Sequence, residues 1–181
     1  MLWFFCSLYG FFMILTWLPY YLQTERGIQG SQVGSISSLV AWASIPGALL
    51  FSYISDKLGR RKPLAFFLGP CAALSICATA YIQDFNLIIA ALIFYGLTDK
   101  LALDPVLVAF VADNAAKEGY STAFGVYNFI GMSSSILAPY ITGYIADVTG
   151  KLSGGFYLAA DLLMVGLICV AFAKESQREP A

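Results

Sequence analysis

The chain has 181 residues, of which 59% are hydrophobic and 12% are charged, with a formal net charge of −1 and a mean hydropathy of +0.75. This composition excludes an ordinary soluble domain, which would lack the polar residues to cover its surface, and gives no reason to expect a nucleic-acid partner. The four Cys lie within apolar runs and His is absent, so we predict buried thiols and neither a disulfide framework nor a metal or other cofactor.

Six apolar runs are long enough to cross a bilayer, for which about 20 residues suffice. The first run is too long and too aromatic for a cleaved signal peptide. In the second run, Pro46-Gly47 predicts a bend. We predict an all-α membrane protein with spans at residues 2–22, 32–55, 63–82, 87–112, 122–146 and 155–173, and a tail at 174–181.

The basic residues are divided unequally between the two sides of such a six-span protein. Seven of the ten lie in the second loop, the fourth loop and the tail, whereas two lie in loops on the opposite side and one lies within a span. Because cytoplasmic loops are enriched in Lys and Arg, we predict a cell-membrane protein with both termini in the cytoplasm. The seven are Lys57, Arg60, Arg61, Lys62, Lys117, Lys174 and Arg178.

A short internal repeat predicts the arrangement of the spans. Residues 52–59 (SYISDKLG) at the end of the second span match residues 143–150 (GYIADVTG) at the end of the fifth, with Tyr, Ile, Asp and Gly identical. Because these two spans end on opposite sides of the membrane, the copies are inverted. We therefore predict a 3+3 inverted repeat of the kind found in secondary transporters.

Three segments carry a family resemblance. Residues 56–61 (DKLGRR) resemble the signature D-(R/K)-x-G-(R/K)-(R/K) of the major facilitator superfamily, although Ser52 stands where that family usually has Gly four residues before the Asp. Residues 16–27 (TWLPYYLQTERG) look like the seventh helix of its anion:cation symporter branch. Residues 122–143 are similar to the eleventh helix of that branch.

The resemblance implies a function and an incomplete assembly. Members of this branch move sugar acids and other organic anions through a pathway between two six-helix halves. The chain is expected to be the C-terminal half, with the N-terminal half or a second copy as its partner. We therefore expect half of an alternating-access carrier for a small anionic substrate, coupled to a proton or sodium ion. The alternative is a non-transporting scaffold or partner subunit derived from a truncated carrier.

The charged second loop allows two interpretations. Its basic residues satisfy the charge asymmetry by themselves. Alternatively, Asp56 with Arg60 and Arg61 forms a breakable latch against a neighbouring helix end, while Gly59 permits a tight turn. The family resemblance implies this second role, because the loop is regarded there as a conformational lock.

Charged residues near the middle of the fourth span form the sharpest local signal. Asp99, Lys100 and Asp104 lie in an otherwise apolar run, where each uncompensated charge costs at least about 2.5–3.5 kcal/mol. Lys100 and Asp104 are four residues apart and can pair on one helical face, which would only stiffen the helix. We expect instead that Lys100 contacts an anionic substrate and that Asp99 or Asp104 contributes to ion coupling.

Two polar stripes at helical spacing are candidates for the lining of a central cavity. Their hydroxyl and amide groups suit a hydroxyl-rich ligand. Ordinary helix packing and an interfacial aromatic belt are the alternatives. The candidate substrate-binding residues are Tyr9, Thr16 and Tyr20 in the first span and Asn128 and Ser135 in the fifth.

The absence of His and the placement of the Asp residues argue against an enzyme. A serine intramembrane protease would need a Ser-His pair, and the chain has no His. An aspartyl intramembrane protease would pair Asp residues from different helices, whereas Asp99 and Asp104 share one predicted helix. We therefore predict that the chain is not an enzyme.

Overall fold

Helices account for almost all of the chain that the structure describes. The computed structural model describes residues 2–58, 62–98, 104, 108, 111 and 119–172, and no strand occurs among them. The predicted all-α membrane fold with six helices is confirmed. These helices are α1 (Leu2–Thr24), α2 (Gly30–Leu58), α3 (Lys62–Tyr81), α4 (Phe85–Thr98), α5 (Tyr120–Thr149) and α6 (Ser153–Phe172).

Five of the described helices, all except α4, are long and apolar enough to cross a membrane. Helix α4 is described over 14 residues and is equally apolar in character. Helices α1, α2 and α5 extend two or three residues past the predicted spans, because a helix can continue beyond the apolar residues that define a span. Helix α2 is continuous through Pro46, and the bend expected at Pro46-Gly47 stays a prediction.

Successive helices run in opposite directions, so the bundle has two ends. We call them the Gly27 end, where α1, α3 and α5 end, and the Asp56 end, where α2 ends. Two turns at the Gly27 end depend on a glycine with positive φ, 66° at Gly27 and 71° at Gly150, a conformation that side chains rarely adopt. Asp84 caps α4 there, accepting hydrogen bonds from the backbone N–H groups of Asn86 and Leu87 at 2.9 and 3.2 Å.

The packing follows the symmetry expected of two inverted triplets. Exchanging α1, α2 and α3 with α4, α5 and α6 maps the α1–α5 contact onto the α4–α2 contact and the α1–α6 contact onto α4–α3. It maps the α3–α6 contact onto itself. All five of these pairs are extensive in the described structure. Helix α1 lies against α2, α5 and α6 and supplies much of the largest apolar cluster.

Candidate functional site

The predicted polar stripe of α1 is covered at one end and open at the other. Tyr9 is 1% exposed, whereas Thr16 is exposed and Tyr20 is 54% exposed. The Tyr9 hydroxyl interacts with that of Thr142 on α5, yet neither makes a well-formed hydrogen bond among the described residues. Both hydroxyls are enclosed where α1 packs on α5. The open part of the stripe lies toward the Gly27 end.

The polar stripe of α5 lies along the edge of its exposed face. Asn128 is exposed, and its Nδ2 donates a hydrogen bond of 3.1 Å to the carbonyl of Phe124. Its side-chain oxygen and second N–H remain suited to a ligand. Ser135 is half-buried and donates to the carbonyl of Met132 at 2.7 Å, a local bond that satisfies the hydroxyl within its own helix.

One residue of the stripe region serves packing. Gly131 is buried against α1, where an added Cβ would lie only 2.1 Å from the ring of Phe4. This agrees with the alternative in which a small residue lets two membrane helices approach closely. The ring of Phe4 in turn stacks on Tyr127 with centroids 4.0 Å apart.

The charged residues predicted to bind substrate or couple ions in the fourth span are only partly described. Asp99 and Lys100 lie outside the described residues. Asp104 is helical and half-buried, and it interacts electrostatically with the hydroxyl of Tyr127, which is 2% exposed. Tyr127 was not among the predicted site residues, because it lies on a different face of the helix from Asn128. The coupling roles remain predictions.

The predicted lock is described only at Asp56, which is exposed in the last turn of α2 beside Lys57. A cation at a helix C-terminus is favourable, whereas an acidic side chain there opposes the helix dipole. The dipole of α2 therefore gives no stabilisation to the Asp56 charge. Gly59, Arg60 and Arg61 lie outside the described residues, and the lock remains a prediction.

The Gly27 end contains an interhelical contact that the sequence did not predict. Arg26 Nη2 donates to the carbonyls of Thr79 and Ala80 at 3.3 and 2.9 Å, and its Nε donates to the Tyr21 hydroxyl at 2.8 Å. These carbonyls belong to the last turn of α3, so the guanidinium lies at the negative end of the α3 dipole. The Tyr21 hydroxyl also donates to the Thr79 carbonyl at 3.2 Å. Arg26 thus fastens the end of α1 to α3.

The adjacent Glu25 makes the complementary contact. Its Oε1 accepts a hydrogen bond from the backbone N–H of Leu152, immediately before α6. The carboxylate therefore lies at the positive end of the α6 dipole. Neighbouring residues of opposite charge thus bind helix ends of opposite polarity. The signal in the sequence was a Glu-Arg pair directly before a helix-terminating Gly.

A polar cavity of about 320 Å³ opens beside this contact. Its walls come from the last two turns of α1, the last turn of α5 and the turn before α6. Trp17 and Tyr20 form an aromatic side, with ring centroids 5.8 Å apart and planes at 79°. Glu25, Asp147 and Lys151 supply charged groups.

Comparison with known proteins identifies relatives over nearly the whole chain. The probable galactarate/D-glucarate transporter of Bacillus subtilis is 27% identical over an alignment of 187 positions. The alignment covers 93% of this chain and 40% of the relative. The hexuronate transporter of the same organism is 26% identical over an alignment of 191 positions. That alignment covers 98% of this chain and 44% of the relative. The chain thus spans about two fifths of the length of these relatives.

The fold has equally clear counterparts. A crystal structure of the peptide transporter POT in complex with sulfate matches with a TM-score of 0.83 at 18% identity, covering 94% of this chain and 36% of that one. The profile of the Major Facilitator Superfamily matches residues 1–181. The chain is a multi-pass membrane protein that belongs to the Major Facilitator Superfamily.

Proposed function

We propose that the chain forms one six-helix half, the C-terminal one, of an alternating-access carrier that moves a sugar acid or a similar organic anion across the cell membrane. Relatives named as transporters of galactarate, glucarate and hexuronate support this substrate class. In this proposal both termini are cytoplasmic and the Gly27 end faces outward. Movement of the anion is coupled to a proton or sodium ion.

The observation that carries the proposal is the polar edge of α5. Asn128 is exposed within an apolar helix that is long enough to span the membrane. Its Nδ2 bonds the Phe124 carbonyl, but its other polar groups would be costly to place against hydrocarbon. Polar groups within spans therefore generally face a wet cavity or another protein surface. We infer that the stripe of Asn128 and Ser135, with Thr16 and Tyr20 of α1, lines the substrate pathway.

The distribution of burial supports a missing partner. Helices α2 and α5 have only 28% and 22% of their apolar windows buried, compared with 56% for α1 and α3. They therefore retain the largest uncovered faces among the five candidate spans. A second half, supplied by another polypeptide or a second copy, would cover these faces and enclose the pathway.

Within this arrangement the predicted residues take distinct roles. Tyr9 and Lys100 bind substrate together with the open stripes. Asp99 and Asp104 are the candidates for ion coupling, since ionisable groups inside a membrane are usually functional. Asp56, with the loop that follows it, favours one of the two packings of the carrier.

Proteoliposome uptake of radiolabelled D-glucuronate tests the proposal. The purified chain is reconstituted alone, and in parallel with the polypeptide that supplies the other six helices. Saturable uptake in either preparation, abolished by an excess of unlabelled substrate, is the expected result. Absence of uptake of glucuronate, glucarate and galactarate in both preparations would contradict it.

The same experiment addresses the subunit alternative, which rests on the coverage of only two fifths of the relatives' length. Uptake that requires the second polypeptide and survives substitution of every site residue in this chain would favour a supporting subunit. Uptake that falls with Asn128→Ala would favour direct participation in transport.

A further inference from the structure

The cavity at the Gly27 end lies far from Asn128, and Tyr20 is the one named residue of the proposed central pathway that also lines it. Asp147 follows Asn128 by 19 positions along α5, which at 1.5 Å per residue is about 28 Å. The cavity volume of about 320 Å³ falls at the lower end of the range typical of small-molecule sites. A ligand there would not contact the Asn128 stripe.

The backbone around this cavity is held in place by several hydrogen bonds. The N–H of Gly150 closes the end of α5 by donating to the carbonyl of Ala146 at 2.8 Å. The Thr149 hydroxyl donates to the Ile145 carbonyl at 2.7 Å, with the Lys151 carbonyl as a second acceptor at 3.0 Å, and it accepts from the Lys151 N–H at 3.4 Å. Because Glu25 also binds the N–H of Leu152, the turn that carries Lys151 is fixed from both sides. Such preorganisation lowers the cost of binding.

The groups that line the cavity define the chemistry of a ligand. The Lys151 ammonium offers hydrogen-bond donors to a carboxylate. The Asp147 carboxylate accepts hydrogen bonds from hydroxyls. Trp17 and Tyr20 offer apolar ring surfaces to the C–H groups of a sugar ring. A hydroxyl-rich molecule carrying an anionic group at one end satisfies all three.

The balance of charge favours a single carboxylate. The charge of Glu25 is compensated by the Leu152 N–H and the start of α6, which leaves Lys151 and Asp147 as an ammonium and a carboxylate in the same cavity. A ligand with a second carboxylate would place a negative charge near Asp147 or Glu25. Repulsion between the like charges of two carboxylates in one cavity disfavours binding.

We propose that this cavity is a second binding site, a vestibule that takes a hydroxyl-rich monocarboxylate such as a hexuronate in preference to a dicarboxylate. The inference rests on the proposed function for its substrate class, but the site is centred on Lys151 and Asp147, away from Asn128. The vestibule captures the anion at the Gly27 end before the anion reaches the central pathway.

Trp17 provides a direct readout, because it forms part of the cavity wall. The purified chain in detergent is titrated with D-glucuronate, and separately with D-glucarate, while tryptophan fluorescence is recorded. We expect a saturable change with glucuronate that disappears in Trp17→Phe. Glucarate should bind at least five-fold more weakly.

A matched pair of lysine variants tests the carboxylate contact. Lys151→Gln should weaken glucuronate binding by at least five-fold, whereas Lys57→Gln, at the exposed opposite end of the bundle, should leave it unchanged. Both positions are exposed, and circular dichroism verifies that each variant keeps its helix content.

The outcomes separate this proposal from the proposed function. Saturable uptake of glucuronate without a Trp17-dependent signal would overturn the vestibule and leave the carrier intact. A Trp17 signal that is insensitive to Lys151→Gln, or glucarate binding as tight as glucuronate binding, would overturn the assigned chemistry. A Lys151-dependent signal without any uptake would support the vestibule and contradict the carrier.

Discussion

Close packing of α2 on α4 gives the sharpest prediction of stability. A Cβ added to Gly47 of α2 would lie 2.4 Å from the carbonyl oxygen of Leu97 and 3.0 Å from its Cα, and one added to Gly96 of α4 would lie 2.4 Å from the carbonyl oxygen of Val40. Because these obstacles are backbone atoms, no side-chain rotation can relieve them. We predict that Gly47→Ala forces the two helices apart.

The expected magnitude follows from two opposing effects. Overpacking costs about 1–3 kcal/mol, and the upper end applies here because the obstacle is backbone. Alanine recovers about 1 kcal/mol through its higher helix propensity, so the net loss is about 2 kcal/mol. For a chain of this length that corresponds to a fall in Tm of about 4–8 °C.

Gly34 supplies the matched control on the same helix. A Cβ added there meets no atom within 4 Å, so Gly34→Ala should be neutral or raise Tm. Thermal unfolding in detergent, followed by a thiol-reactive dye that labels buried cysteines such as Cys6 as they become exposed, measures both variants. An equal Tm for the two variants, or a stabilised Gly47→Ala, would refute the close approach.

Three further predictions concern the charged and polar groups. Arg26→Gln should destabilise the bundle by about 1–3 kcal/mol, because the α3 carbonyls lose charge-assisted donors. Arg26→Lys should be intermediate in the same thermal assay. An Arg26→Gln variant as stable as the unsubstituted chain would contradict the contact. Asn128→Ala should lower glucuronate uptake at least ten-fold. Phe129, about 100° around α5 from Asn128, is the control, and Phe129→Ala should retain uptake. Equal effects of the two substitutions would remove Asn128 from the pathway. Asp99→Asn or Lys100→Ala in the complete carrier should abolish or strongly impair uptake without loss of membrane insertion, and normal uptake would exclude both from the site.

The fold was predictable because its signals are local. Apolar runs and a basic loop each depend on adjacent residues in the sequence. The inverted repeat was also visible in residues 52–59 and 143–150. Pro46-Gly47 was assigned a bend because these residues commonly disrupt helices. The close approach of α4 at Gly47 was not predicted, because it depends on residues far along the chain.

The site was less predictable because its geometry depends on which helices are neighbours. Periodicity placed Tyr9 in line with Tyr20, yet α5 covers only the former, leaving Tyr20 54% exposed. The contact between Arg26 and the α3 carbonyls joins residues 53 and 54 positions apart. No pattern within α1 identifies that partner.

Cysteine accessibility at Asn128 tests the central claim most directly. Asn128→Cys is introduced into the complete carrier with the four native cysteines replaced by serine, and is treated with a charged, membrane-impermeant thiol reagent with and without D-glucuronate. We predict that Asn128→Cys is labelled and that glucuronate protects it, while Phe129→Cys shows no such protection. An Asn128→Cys thiol that stays unlabelled, or labels equally with and without glucuronate, would contradict a sugar-acid pathway along α5.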